Sequence, residues 1–303
     1  MSDYKTAIDR LQKLDLSTYP YNEIKDLIQL FGKFGIIQMT LHKGKVLIRA
    51  RPNTDGQPSF TKRSELSYTP SAFNKKYQRA STPNQTMFYA GTIPEGIAPD
   101  ELNNARIIAS LETSHLLRNA GHEGEQRVTF SKWVVTHDIP LVAVCYNKDF
   151  VTKSSHTKEL YDSYQNSVAG LDDYLRDKSL AISEFLASEF AKTDVDPDYK
   201  YMISAIFGET VANTNHAGVY FPSVRADAKG YNVAINPEFA DNCLQLVAAG
   251  ECTIYKKGEN TIVDNETVCT ITDDSIPFEL LPIDAQYRVG RDSILKELNT
   301  KTK

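Results

Sequence analysis

What this 303-residue chain lacks already bounds it. Its four cysteines, Cys145, Cys243, Cys252 and Cys269, lie far apart, with no CxxC pair and no neighbouring histidine at zinc-finger spacing. A zinc-finger reading is excluded, and the cysteines read as reduced, small core residues. No stretch approaches the roughly 20 consecutive apolar residues of a membrane span, and the opening MSDYKTAIDR has no apolar core of signal-peptide type. The expectation is a cytoplasmic protein that does not enter a membrane. Phosphate loops of the GxGxxG or GxxxxGK(S/T) kind are missing, as are solenoid-period repeats and low-complexity tracts, so the commonest nucleotide folds lose support. An excess of positive charge is missing too. With 34 Lys+Arg against 39 Asp+Glu the net charge is -5, which argues against a general nucleic-acid or anionic-membrane binder while leaving room for a local basic pocket.

What is present is an ordinary globular composition, 41% hydrophobic and 24% charged, on a chain long enough to bury a core without disulfides or metals. One stretch, Tyr77 to Glu112, organises the rest. Ser81, Thr82, Pro83 and Asn84 write a turn just after Arg79, and Met87, Phe88 and Tyr89 write a strand. After a loop holding Pro94 and Pro99, a helix is expected from near Asp100, with Asp100 and Glu101 in its first turn. Ile107, Ile108 and Leu111 form its apolar stripe, and Glu112 follows at the stripe's edge, where a carboxylate would face a cleft. Taken singly, a helix glutamate is usually solvated and a turn arginine is usually a surface charge.

Along the chain, Ile8, Leu11 and Leu14 make one helical stripe, and Ile24, Leu27, Ile28, Phe31 and Phe34 make a second after Pro20, which predicts a helical cap over residues 1–44. Short extended segments follow at 36–39 and 45–50. In VLIRARP, Arg49 and Arg51 fall on one strand face because strand side chains repeat every two residues. Two like charges so placed are met by an anion or carboxylates, or else lie exposed on an edge. Residues 52–76 read as a polar loop over a pocket, with ELSYTP extended before Pro70. The helix carrying Glu112 is expected to run to about Asn119 and stop at Gly121. Residues 127–135 and 139–146 read as strands, the second central. Helical patterns fill 153–192 and 198–213. In HAGVYFPSVRADAKGYNVAINP, Ser223 ends one strand and Asn232 lies on the next, across a short Asp/Gly turn. A strand-end serine usually satisfies local backbone groups. Short strands at 252–256, 261–263 and 267–271 and a polar helical tail at 291–303 complete the pattern.

Set in order, LIRARP, YQRASTPNQTMFYAG, ARIIASLET, GVYFPSVR and GYNVAINP resemble the RES domain, a toxin family named for its arginine, glutamate and serine. The likeness spans roughly residues 45 to 240, inside an expected catalytic unit of 45–290 that carries the 153–213 block as a helical insertion. It implies an α+β fold of ADP-ribosyltransferase-like mixed sheets with flanking helices, and an enzyme that breaks the nicotinamide–ribose bond of NAD with water or phosphate as acceptor. Transfer of ADP-ribose to a protein or small molecule, and a catalytically silent binding module, are the rival readings. The resemblance assigns catalytic roles to Glu112, Arg49 and Ser223. Arg79, Tyr89, Arg51 and Asn232 become substrate-binding residues. NAD is substrate rather than cofactor, no metal is required, and the expected partner is a small antitoxin that blocks the cleft.

Overall fold

The computed structural model describes residues 3–83, 85–95, 104–119, 121–193 and 196–301. Asn84, Pro99, Asp100 and Glu101, on which part of the expected turn, loop and helix start fell, lie outside the described residues.

The chain opens with α1 (Asp3–Lys13) and α2 (Tyr21–Gln29), each an amphipathic helix that buries Leu11 or Ile24, Leu27 and Ile28. Next come β1 (Ile37–Leu41), β2 (Val46–Pro52) and the short α3 (Arg63–Leu66). Then follow β3 (Phe88–Thr92), α4 (Ala105–Thr113) and α5 (His115–Arg118). The long β4 (Gly124–Val135) and β5 (Ile139–Ala143) precede a helical block of α6 (Lys148–Val151), α7 (Ser155–Val168), α8 (Asp173–Phe190) and α9 (Met202–Ala212). The chain closes with β6 (Gly218–Pro222), β7 (Tyr231–Ile235), α10 (Pro237–Cys243), β8 (Leu244–Lys257), β9 (Asn260–Thr270), β10 (Leu281–Pro282) and α11 (Arg291–Lys301).

The strands form one open ten-stranded sheet in the order β1-β5-β6-β7-β3-β2-β4-β8-β9-β10. Only β5 and β6 run parallel. Parallel neighbours need a crossover, and the helical block between them supplies it, so the segment expected as an insertion connects two adjacent strands of the sheet. Its helices α8 and α9 share one apolar cluster with α1 and α2, against Val142, Val219, Phe221 and Ala234 of the sheet. The other face of the sheet is covered by a second cluster containing Leu47, Phe88, Trp133, Tyr220 and Val233. A third, smaller cluster lies under α4, with Ala109 packing over Ala50, Val128 and Phe130.

Several local expectations are corrected. The helix of 100–119 is two helices in its described part, because Ser114 ends α4 and its hydroxyl accepts from Leu117 N to cap α5. Glu65 and Leu66, expected to be extended, close a turn of α3 in which the Glu65 carboxylate accepts from Thr61 N and Lys62 N. The segments at 252–271 form two long strands rather than three short ones. Residues 139–143 sit one place from the sheet edge, yet Leu141 and Val142 are buried in the clusters on opposite faces. All four cysteines are free thiols, three of them buried. Among the described residues no helix is long and apolar enough to cross a membrane.

Candidate functional site

The sheet is weakest between β2 and β3, where a single residue pair, Ile48 with Gly91, joins the strands. Beyond that pair the backbones part, and the Arg49 guanidinium donates to the Tyr89 carbonyl at 2.8 Å in place of a strand-to-strand bond. A cleft of about 570 Å³ opens there, within the usual size range of small-ligand sites. Ala109, Glu112 and Thr113 of α4 line it together with Ala90, Gly91, Phe221 and Asn232 of the sheet and with Tyr77 and Tyr201.

Glu112 is held in this cleft by the packing of α4. A Cβ on Gly91 would stand 3.2 Å from the Ile108 side chain, and one on Gly230 would stand 2.1 Å from it. A side chain at Gly91 would crowd the backbone of α4 and one at Gly230 would displace the end of the Ile108 side chain, so glycine at both lets the helix lie this close. Ile108 and Glu112 are four residues apart and so share a helix face, which aims the carboxylate at the sheet. There Glu112 Oε1 accepts from Ser223 Oγ at 2.6 Å and from Asn232 Nδ2 at 2.8 Å. Among the described residues nothing donates to Oε2.

Ser223 is fully buried at the end of β6. Its backbone N donates to Gly230 O and its carbonyl accepts from Ala228 N, closing the loop to β7. The hydroxyl also accepts from Ala226 N at 3.2 Å, so it satisfies the local backbone and the carboxylate at once. The left-handed residues of this loop are Asp227 and Ala228 rather than its glycine, whose role is the close approach to Ile108.

Arg49 and Arg51 do share a face: they lie over the rings of Phe88 and Phe60, at 5.6 and 5.0 Å. No carboxylate meets either among the described ion pairs. Arg51 donates to the Glu65 carbonyl, and Arg49 keeps a buried Nε without a partner. Burial, with the Arg51 charge second, pushes the Arg49 pKa down to about 10, still far above neutrality, so its guanidinium stays charged.

Arg79 and Tyr89 line the cleft but are tied elsewhere. Arg79 is buried, donates to the carbonyls of Phe190 and Lys192 at the end of α8, and lies 5.0 Å over the Tyr201 ring. Its guanidinium fork is therefore used mainly to bind the turn to α8. The Tyr89 hydroxyl accepts from Ala80 N at 3.0 Å and meets Ser81 Oγ at 3.0 Å, and burial pushes its pKa up to about 12. Tyr89 thus offers the cleft only its ring, and as a neutral group.

The cleft holds further residues that the sequence reading did not single out: Lys76, His115, Arg118, Tyr201 and Arg225. Arg225 had a signal, since it follows Ser223 by two residues in PSVR. Arg118 had none, because its place depends on the break at Ser114. The walls desolvate Arg118 and lower its pKa, while the charge of Glu112 acts in the opposite sense. In all, six basic residues, Arg49, Arg51, Lys76, Arg79, Arg118 and Arg225, and one acid, Glu112, line the cleft. A cleft so charged attracts anions. No group of His, Cys, Asp and Glu able to hold a metal occurs among the described residues.

No protein-family model and no curated protein matches the chain.

Proposed function

We propose that this protein cleaves the nicotinamide–ribose bond of NAD, as the resemblance to RES-domain toxins and their ADP-ribosyltransferase-like fold implies. One observation carries the reading: a single carboxylate, Glu112, with one oxygen fixed by Ser223 and Asn232, is the one acidic residue of a cleft whose lining includes six basic residues. The arginines suit a pyrophosphate, since guanidinium forks match phosphate oxygens. Glu112 suits the reacting ribose, which becomes oxocarbenium-like as the bond breaks and is stabilised by a preorganised negative charge. Ordinary glycoside cleavage uses two carboxyl groups because the leaving oxygen must be protonated. Nicotinamide needs no proton: the bonding pair returns to its cationic ring nitrogen and it departs neutral, so one carboxylate suffices. Water then adds to the ribose carbon and releases a proton to solvent, or phosphate adds in its place. Tyr89 gives the ring an apolar surface.

In this reading the protein is a cytoplasmic NAD-consuming toxin of a toxin–antitoxin pair, and its antitoxin silences it by covering the cleft. The test is nicotinamide release by purified protein supplied with NAD, with and without phosphate or candidate acceptor proteins. Release that requires Glu112 supports the reading. Release only with an acceptor that becomes ADP-ribosylated would make the protein a transferase, and absence of release under every condition would refute it.

A further inference from the structure

The cleft carries more positive charge than NAD can use. Of its six cations, Arg79 is committed to the carbonyls at the end of α8, and Arg118 stands in the field of Glu112. Four remain: Arg49, Arg51, Lys76 and Arg225. Arg49, Arg51 and Arg225 each donate to one backbone carbonyl, of Tyr89, Glu65 and Thr193 respectively. Among the described residues no carboxylate pairs with any of the four. The pyrophosphate of NAD supplies two negative charges.

The cations also divide by origin. Arg118 and Arg225 come from the helix and loop next to those that carry Glu112 and Ser223. Arg51 comes from the far end of β2, and Lys76 from the segment between α3 and β3. Arg49 lies between, two residues before Arg51, which spaces the two along the strand by about 7 Å. Arg49 also has a buried, unpartnered Nε. Four cations of the cleft lining thus have no carboxylate partner among the described residues, two more than one pyrophosphate neutralises.

We infer that the preferred substrate is the 2′-phosphorylated dinucleotide NADP, with Arg51 and Lys76 binding its third phosphate. This rests on the proposed cleavage at Glu112 and names the substrate of that same site. The reaction balances as for NAD. The bond from the nicotinamide ring nitrogen to the ribose carbon breaks with its electron pair on nicotinamide. Water forms the new carbon–oxygen bond and loses one proton, and 2′-phospho-ADP-ribose is released with the third phosphate untouched. That phosphate sits on the adenosine ribose, away from the reacting bond, which is why its receptors are on the far end of β2 rather than beside Glu112.

The experiment compares kcat/KM for nicotinamide release from NADP and from NAD, in the wild-type chain and in Lys76→Ala, Lys76→Glu and Lys76→Arg. Lys76 is exposed, so its variants retain the fold. NADP should be preferred by at least about tenfold. The ratio should collapse in Lys76→Ala, invert in Lys76→Glu and survive in Lys76→Arg. Equal or better use of NAD, or a ratio that Lys76→Glu leaves unmoved, would overturn the inference while leaving NAD cleavage intact. Stimulation of NAD cleavage by inorganic phosphate, with no preference for NADP, would overturn it as well, because the spare cations would then serve a free anion. Failure to release nicotinamide from either dinucleotide sinks the cleavage reading itself, and this inference with it.

Discussion

Glu112→Gln isolates the charge on which the proposed chemistry depends. The amide is nearly isosteric, and its oxygen can take over both hydrogen bonds that Oε1 now accepts from Ser223 Oγ and Asn232 Nδ2. The opposite orientation would set its amino group against two donors. The amino group therefore replaces Oε2, where no described residue donates, and presents a positive dipole where the wild type presents a negative oxygen. Folding loses little, so the melting temperature should stay within about 2 °C. Catalysis loses one preorganised charge, for which removal of a comparable group costs on the order of a hundredfold to a thousandfold in kcat, about 2.7–4 kcal/mol. The assay is steady-state nicotinamide release under saturating dinucleotide, with thermal unfolding measured on the same preparation. A folded Glu112→Gln protein that turns over within a few-fold of wild type would refute the electrostatic role, however well placed the carboxylate is.

Ser223→Ala removes one donor to Glu112 and the acceptor of Ala226 N, both in a fully buried place. It should cost about 1–3 kcal/mol of stability, read by denaturant titration, and lower turnover. Arg49→Ala should act mainly on binding, with a loss of about 2–5 kcal/mol if its unpartnered Nε meets phosphate; an unchanged Michaelis constant would count against that role. Gly230→Ala forces a methyl into Ile108 at 2.1 Å, an overpacking worth about 1–3 kcal/mol. Because Ile108 is one turn from Glu112, this variant should also lose turnover at temperatures where it is still folded. Expression of the intact chain in a bacterium should lower cellular NAD or NADP and arrest growth. Glu112→Gln and Ser223→Ala should relieve both effects at equal protein levels, and arrest with unchanged dinucleotide pools would favour a binding module.

The parts of the site that are legible in the sequence are those set by local periodicity. Arg49 and Arg51 fall on one face because any strand of that pattern would place them there, and they do so here. Ser223 at a strand end and Asn232 on the next strand follow equally from a short turn between apolar runs. What was not legible depends on contacts between distant segments. Ser223 meets Glu112 across 111 positions, and the carbonyl that captures Arg79 is likewise 111 positions away. Arg79 in its turn looked free to bind substrate because nothing nearby in sequence shows that the C-terminal carbonyls of α8 end beside it. Arg118 was overlooked for a local reason. Ser114 is a capping residue inside an apolar pattern, and reading the pattern through it hid the short second helix that swings Arg118 into the cleft.

The two glycines beneath α4 explain why the carboxylate and its donors cannot be adjusted separately. Gly91 lies beside Asn232 in the β3–β7 pairing, and Gly230 accepts the backbone hydrogen bond from Ser223. The residues that set how deeply α4 sits are thus bonded to the residues that hold its glutamate. A methyl at Gly91 would press on the backbone of α4 at Ala105 O and Ala109 N, and one at Gly230 on the Ile108 side chain, both on the helix whose Glu112 meets two donors at 2.6 and 2.8 Å. Hydrogen bonds weaken steeply as they lengthen and bend, so a shift of a few tenths of an ångström in packing becomes a loss of orientation at the carboxylate. Helix depth, strand pairing and the position of the Glu112 carboxylate form one mechanical unit. It is built from β3, the β6–β7 loop and α4, and the cations around it can vary in number without disturbing it.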